Sequence, residues 1–175
     1  MRVVSGVAGG RRLQAPRNAS TNLRPTSERV REAVLASLGS LGAVQGAAVL
    51  DLFAGTGALG IEALSRGAAE ATFVDDDAIA VAAIKANLAA TGLAGPAATV
   101  VRSDVLRFLE APHGPFDVAL VDPPYAFDNW LDLLERLDVP LAVLESDQPV
   151  DPPPAWEALR SRRYGDTVVT IVRRR

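Results

Sequence analysis

The 175-residue chain has no cysteine, one histidine (His113), one lysine (Lys85) and one methionine, and aromatic residues make up 5% of it. Each scarcity removes a class of chemistry. Without cysteine there are no disulfides, thiolate metal sites or cysteine nucleophiles. With one histidine, neither a Ser-His-Asp triad nor a histidine-based zinc site is expected, and no metal is assigned. No stretch approaches the roughly 18 to 20 uninterrupted apolar residues of a membrane span. The arginine-spaced start lacks the apolar core of a signal peptide, so a cytoplasmic protein with no membrane partner is expected. Catalysis has to come from carboxylates, backbone groups and binding.

At 49% hydrophobic residues, the chain can bury one good core and has little left for a second. The net charge of −3 conceals a segregation: +5 over residues 1–36, −13 over 37–159 and +5 over 160–175. Two basic ends on an acidic body could meet a polyanion, because phosphate contacts dominate nucleic-acid affinity. Arginines that merely solubilise the chain ends account for the charge equally well.

Arg2-Val3-Val4-Ser5-Gly6 and Arg11-Arg12-Leu13-Gln14-Ala15 flank Gly9-Gly10 and read as a basic β-hairpin apart from the main sheet. A helix follows, with Thr26 or Ser27 as N-cap, Glu28 in its first turn and Val30, Val34, Leu38 and Leu41 facing inward. Strands at 47–53, 71–75, 98–103, 116–121 and 140–145 then alternate with helices at 57–66, 77–91, 105–110 and 129–137. That order demands a doubly wound, mostly parallel sheet. The alanines of helix 77–91 read as close helix-on-sheet packing. Strands at 156–163 and 166–173, joined at Tyr164-Gly165-Asp166, close the sheet as an antiparallel hairpin. His113 is read as a loop residue and Trp130 as a packing residue.

Val49-Leu50-Asp51-Leu52-Phe53 runs into Gly55-Thr56-Gly57-Ala58-Leu59-Gly60, which satisfies G-x-G-x-x-G. By itself this pattern is weak. Asp75 closes the next strand, where a carboxylate serves ribose hydroxyls in a site for either NAD or S-adenosylmethionine. Asp51 precedes the glycines, where it suits a cationic ligand better than a pyrophosphate. Asp104 follows a third strand, and no lysine or arginine sits in the turn. Carboxylates on consecutive strand ends favour a ligand with an ammonium, a sulfonium and ribose hydroxyls, which describes S-adenosylmethionine, with NAD as the alternative. A helix cap would account for each acid as well, Asp76 and Asp77 above all, since they precede a helix.

Asp122-Pro123-Pro124-Tyr125 ends the apolar run Phe116-Asp117-Val118-Ala119-Leu120-Val121 at the sheet edge where such folds bind ligands. An acid, two prolines that fix the backbone and a ring suit the gripping of a planar amine. Asp122 and the Pro123 carbonyl would take its two N–H groups, and Tyr125 would stack on its plane. A nucleobase would have to flip out to present that edge.

These residues resemble the bacterial 16S rRNA (guanine-N2)-methyltransferase family of the RsmD type. The likeness covers most of the chain: Arg2 to Gly6, Leu23-Arg24-Pro25-Thr26, Arg29 to Glu32, Leu50 to Gly60, Glu62 to Ala68, Asp122 to Tyr125 and Arg163-Tyr164-Gly165-Asp166-Thr167. The resemblance implies a Rossmann-like class I S-adenosylmethionine-dependent methyltransferase fold with a small N-terminal β-hairpin and helix extension. It implies methyl transfer to the 2-amino group of a guanine in 16S ribosomal RNA, within an assembled or assembling small subunit, by a monomer that releases S-adenosylhomocysteine. Asp51, Gly55, Gly57, Asp75 and Asp104 correspond to methyl-donor contacts, joined by Phe53, Asp76, Val105 and Asp122. Asp122, Pro123, Pro124 and Tyr125 correspond to the target-amine site. Arg11, Arg12, Arg24 and Arg29 are the candidate RNA contacts, on an extension spanning 1–42, with the methyltransferase domain at 43–175. Two departures stand out: Asp75 replaces the usual glutamate, and the region 134–144 is short. Two other functions compete, a DNA adenine-N6 methyltransferase and a catalytically silent RNA-binding ribosome assembly factor. Protein glutamine methylation fits less well, because its Pro-Pro-Tyr turn is normally led by asparagine.

Overall fold

Short apolar runs, each closed by an acid or a glycine, build the centre of a seven-stranded sheet in the computed structural model, which describes residues 1–15 and 27–175. The elements are α1 (Glu28–Ser40), β1 (Ala48–Leu52), α2 (Ala58–Ser65), β2 (Glu70–Asp75), α3 (Ala78–Thr91) and β3 (Ala98–Arg102). They continue as α4 (Val105–Glu110), β4 (Val118–Val121), α5 (Trp130–Arg136), β5 (Leu141–Ser146), β6 (Trp156–Tyr164) and β7 (Thr167–Arg174). The strand order is β3-β2-β1-β4-β5-β7-β6, with β1 to β5 parallel. β7 enters antiparallel between β5 and β6. This is the Rossmann-like, class I arrangement. The order reverses between β1 and β4, and the crevice at such a switch point is where α/β sheets bind ligands.

Strand side chains alternate between the two faces. Val49, Phe73, Leu120 and Val143 pack with Val34, Leu38, Ile61 and Ile84 on the face covered by α1, α2 and α3. Leu50, Leu52, Val74, Val121 and Leu144 pack with Leu133, Leu134 and Trp156 on the other. By the same alternation, the acids at positions 51, 122 and 145 share the face of α1 and α2.

The amino terminus forms the hairpin read in the sequence, as a short one. The bridge of Arg2 with Arg12 is flanked by bonds from Val3 N to Arg11 O and from Leu13 N to Met1 O, both 2.9 Å, and Gly10 N donates to Val3 O at 2.8 Å, while the amides beyond turn to α2. Val4 and Ser5 donate to the two oxygens of Glu62 on α2, at 2.8 and 2.9 Å, and Ala8 donates to Ser65 Oγ at 2.9 Å. Gly6 adopts φ +83°, and a Cβ there would lie 1.8 Å from the Ser65 carbonyl oxygen, so no side chain fits at this crossing. Glu62 is fully buried, receives Arg66 Nε at 2.9 Å and lies 3.5 Å from Nε of Arg31, itself fully buried.

Ser27 is the N-cap of α1, accepting from Val30 N at 3.2 Å, whereas Thr26 lies outside the described residues. The alanine reading of α3 needs correction. Ala80 is buried, but Ala78, Ala82, Ala86, Ala89 and Ala90 are exposed, and Ile84 and Leu88 make the sheet contact. Those alanines favour the helix through intrinsic propensity rather than packing. No helix among the described residues is long and apolar enough to cross a membrane.

Candidate active site

The glycine-rich turn is held by contacts that explain each small residue. Gly55 and Gly57 have φ of +55° and +76°, the left-handed region open to glycine. Gly57 caps α2 from that conformation. At Gly60, a Cβ would meet Phe73 Cε1 at 2.4 Å and Asp51 Oδ2 at 2.9 Å, so the helix can approach the sheet only as glycine. That approach lets Gly60 N donate to Asp51 Oδ2 at 2.9 Å. Asn87 of α3, missed in the sequence, anchors the turn from below. Its Nδ2 donates to Thr56 O at 2.9 Å and Gln14 O at 3.0 Å, and its Oδ1 accepts from Gln14 N at 2.8 Å. Fully buried amides of this kind carried no motif to announce them.

Asp51 is 1% exposed. Burial pushes its carboxyl well above the usual range, the Gly60 amide opposes the shift, and the charges of Asp122 and Asp75 add to it. Asp75 is raised too, by burial first and then by Asp76 and Asp77, against two backbone donors. Those donors are Gly55 N to Oδ2 at 2.8 Å and Asp77 N to Oδ1 at 3.0 Å. The shorter side chain at position 75 therefore ties the glycine turn to the end of β2. Asp76 is exposed, and its carbonyl accepts from Arg102 Nε at 3.0 Å. Asp104 is the exposed N-cap of α4, accepting from Arg107 N at 2.9 Å, and Val105 behind it is buried.

On the other side of the switch point, Pro123 is buried, Asp122 is half-buried, and Pro124 and Tyr125 are exposed. Phe53, at φ +57°, packs edge-on against Phe127 at 5.3 Å, and Phe127 against Trp130 at 5.2 Å. This aromatic chain joins the loop after β1 to the loop after β4. A shallow, open cleft lies there, lined by Pro123, Pro124, Tyr125, Phe127, Trp130, Glu145, Ser146 and Asp147. Trp130, read as a packing residue, also forms part of its wall.

Glu145 is the second residue missed. It is 3% exposed near the end of β5, and its Oε1 has no hydrogen-bond partner among the described residues. Burial raises its carboxyl well above the usual range, Asp122 and Asp51 add to the rise, and Arg31 opposes it. Its signal was available: Leu141-Ala142-Val143-Leu144 ends in an acid just as β1, β2 and β4 do. Among the described residues no group of three or more metal-ligating side chains is placed to hold an ion.

The candidate RNA contacts are dispersed. Arg12 and Arg29 are exposed, while the guanidinium of Arg11 donates to the Thr91 carbonyl at the end of α3. Arg24 lies outside the described residues.

Residues 1–173 match the family Cons_hypoth95, described as Conserved hypothetical protein 95. Among curated relatives, the candidate rRNA methyltransferase YlbH of Bacillus subtilis (strain 168) is 38% identical over 188 residues, with both chains fully covered. Ribosomal RNA small subunit methyltransferase D of Haemophilus influenzae is 33% identical over 179 residues, covering 94% of this chain and 89% of the relative. Among solved structures, the candidate methyltransferase yhhF of Escherichia coli superposes with a TM-score of 0.84 at 30% identity, covering 99% of this chain and 97% of that one. The chain thus belongs to the Cons_hypoth95 family and, within it, to the methyltransferases of the small subunit methyltransferase D type.

Proposed function

We propose that this chain transfers a methyl group from S-adenosylmethionine to the exocyclic N2 amine of a guanine in 16S ribosomal RNA of the small subunit. The observation that carries the reading is the division of the crevice. Carboxylates and glycine amides end β1 to β3, and a proline-framed acid and an aromatic cleft end β4 and β5. The donor residues fit the cofactor chemically. Burial and mutual repulsion hold Asp51 and Asp75 above the usual carboxylate range, an excess of negative charge that a ligand ammonium would relieve. Asp75 would face ribose hydroxyls, Asp104 the adenine amine, and Phe53, Gly55, Gly57, Asp76 and Val105 would line the path between them. Bound there, S-adenosylmethionine supplies an electrophilic methyl group.

The chain's own groups do the rest. A guanine N2 amine is a weak nucleophile because its lone pair is delocalised into the ring. Asp122 and the Pro123 carbonyl accept its two N–H groups and favour a pyramidal nitrogen with its lone pair toward the methyl. Tyr125 fixes the plane of the ring, and Pro124 holds the turn. The proton leaves only after transfer, when the nitrogen is cationic, so the lack of an active-site histidine is no obstacle. Orientation of this kind is worth up to roughly 7–11 kcal/mol. The target base must be flipped outward at a cost of a few kcal/mol. Exposed Arg12 and Arg29, together with Arg24, offset that cost by gripping phosphates.

The test separates the two halves. Asp122→Ala should lose at least ~100-fold in methyl transfer to unmodified small subunits. Its affinity for S-adenosylmethionine by calorimetry should stay within a few-fold of the parent. Equal loss of donor affinity and transfer would refute this division of roles.

A further inference from the structure

Beyond the target-amine motif, the cleft has an acid that the proposed mechanism leaves without a task. β4 and β5 pair in parallel with Val121 beside Leu144, so the next two residues, Asp122 and Glu145, stand side by side where the ladder ends. Glu145 forms part of the cleft wall with Pro123, Tyr125 and Trp130. It is 3% exposed, yet its Oε1 accepts a hydrogen bond from no group among the described residues. A buried polar group without a partner is costly and uncommon, and each one calls for an explanation such as a catalytic role or a group that completes its bonding. Arg31, whose charge opposes the rise, does not donate a hydrogen bond to it: its Nη2 goes to Arg2 O at 2.5 Å, its Nε lies 3.5 Å from Glu62, and Nε and Nη1 are themselves buried without a hydrogen-bond partner among the described residues.

The chemistry of the base indicates the missing donor. When guanine presents its N2 amine to Asp122, the ring atom next to that amine is N1, which carries a hydrogen. Adenine presenting N6 in the same way offers an unprotonated N1, an acceptor. A carboxyl oxygen that accepts beside Asp122 is accordingly matched by the first base, whereas the second brings no N1 hydrogen to it. We propose that Glu145 is the specificity-determining residue of the target pocket and accepts the N1–H of the flipped guanine. The assignment rests on the guanine-N2 reading above, and the experiment below is arranged so that each can fail separately.

The probe is a small subunit reconstituted with RNA carrying either guanine or 2-aminopurine at the position where nucleoside mapping finds the methyl group. 2-Aminopurine keeps the N2 amine and has no hydrogen on N1. Wild-type protein should prefer guanine by roughly 10- to 100-fold in kcat/KM, the range set by leaving a buried polar group unpaired. Glu145→Ala should lose a similar factor on guanine and almost none on 2-aminopurine, removing the preference. Glu145→Gln, whose amide can accept or donate, should recover most of the guanine activity and gain on 2-aminopurine. Donor affinity should be unchanged in both variants, which also verifies that they fold. Equal losses on the two bases would make Glu145 a structural residue and overturn the assignment while leaving guanine methylation intact. So would equal rates on the two bases by the wild type. No N2-methylguanosine from the wild type would overturn the guanine reading and this assignment with it.

Discussion

Gly60→Ala tests how sequence, packing and donor site are linked, because one methyl group bears on all three. The added Cβ would lie 2.4 Å from Phe73 Cε1 and 2.9 Å from Asp51 Oδ2. Carbon contacts relax near 3.5–4.0 Å, so the ring must retreat by more than about 1 Å or α2 must lift from the sheet. Phe73 is fully buried between β1 and β3, so neither adjustment is free. Overpacking of this kind costs roughly 1–3 kcal/mol. For a domain of 150–250 residues each kcal/mol lowers Tm by roughly 2–4 °C, giving a fall of about 2–12 °C. Lifting α2 also lengthens the 2.9 Å bond from Gly60 N that orients Asp51. S-Adenosylmethionine affinity should therefore drop by about tenfold or more, equivalent to ~1.4 kcal/mol. Differential scanning calorimetry and donor titration read the two effects. Gly39→Ala in α1 is the control, since nothing lies within 4 Å of its Cβ and the site is exposed. That variant should gain ~0.4–1 kcal/mol. A Gly60→Ala protein with the parent's Tm and donor affinity would refute the reasoning.

Asp51→Asn should stabilise the ligand-free protein at pH 7.5 by ~0.5–2 kcal/mol while abolishing measurable donor binding, because the acid is held in place for function at a cost in stability. The sign follows from its raised carboxyl: what this acid contributes to stability is fully present below the unfolded value of about 4 and is lost as pH rises through the raised folded value. The advantage of the variant should thus shrink in thermal melts taken toward pH 5, and an advantage independent of pH would contradict the assignment. Replacing Arg12 and Arg29 by glutamine should reduce the slope of log K against log salt for 16S RNA binding by about 1.4–1.8, two phosphate contacts' worth. An unchanged slope would remove that surface from the RNA footprint.

Much of this was legible in the sequence because one rule repeats. An apolar strand buried on both faces must end where the crevice opens, and a charged residue at that point has no packing reason to be there. Asp51, Asp75 and Asp122 were legible by it, and the doubly wound, mostly parallel sheet followed from the alternation of strands and helices. Glu145 obeys the same rule but escaped, since β5 was read only as the end of a shortened region. Other features depend on long-range partners that no local pattern encodes. Arg31 is buried because Glu62 waits on α2, and Asn87 holds Thr56 and Gln14 from 31 and 73 residues away. The amino-terminal hairpin is short for the same reason, since the amides of Val4 and Ser5 go to Glu62 rather than to a partner strand.

The most direct measurement is transfer of a labelled methyl group from S-adenosylmethionine to small ribosomal subunits lacking the modification, with adenine-containing duplex DNA in parallel, followed by nucleoside analysis. The account predicts N2-methylguanosine at a single position of 16S RNA and no methylated base in the DNA. N6-methyladenine from the DNA, or tight donor binding with no methylated nucleoside from any subunit, would contradict it.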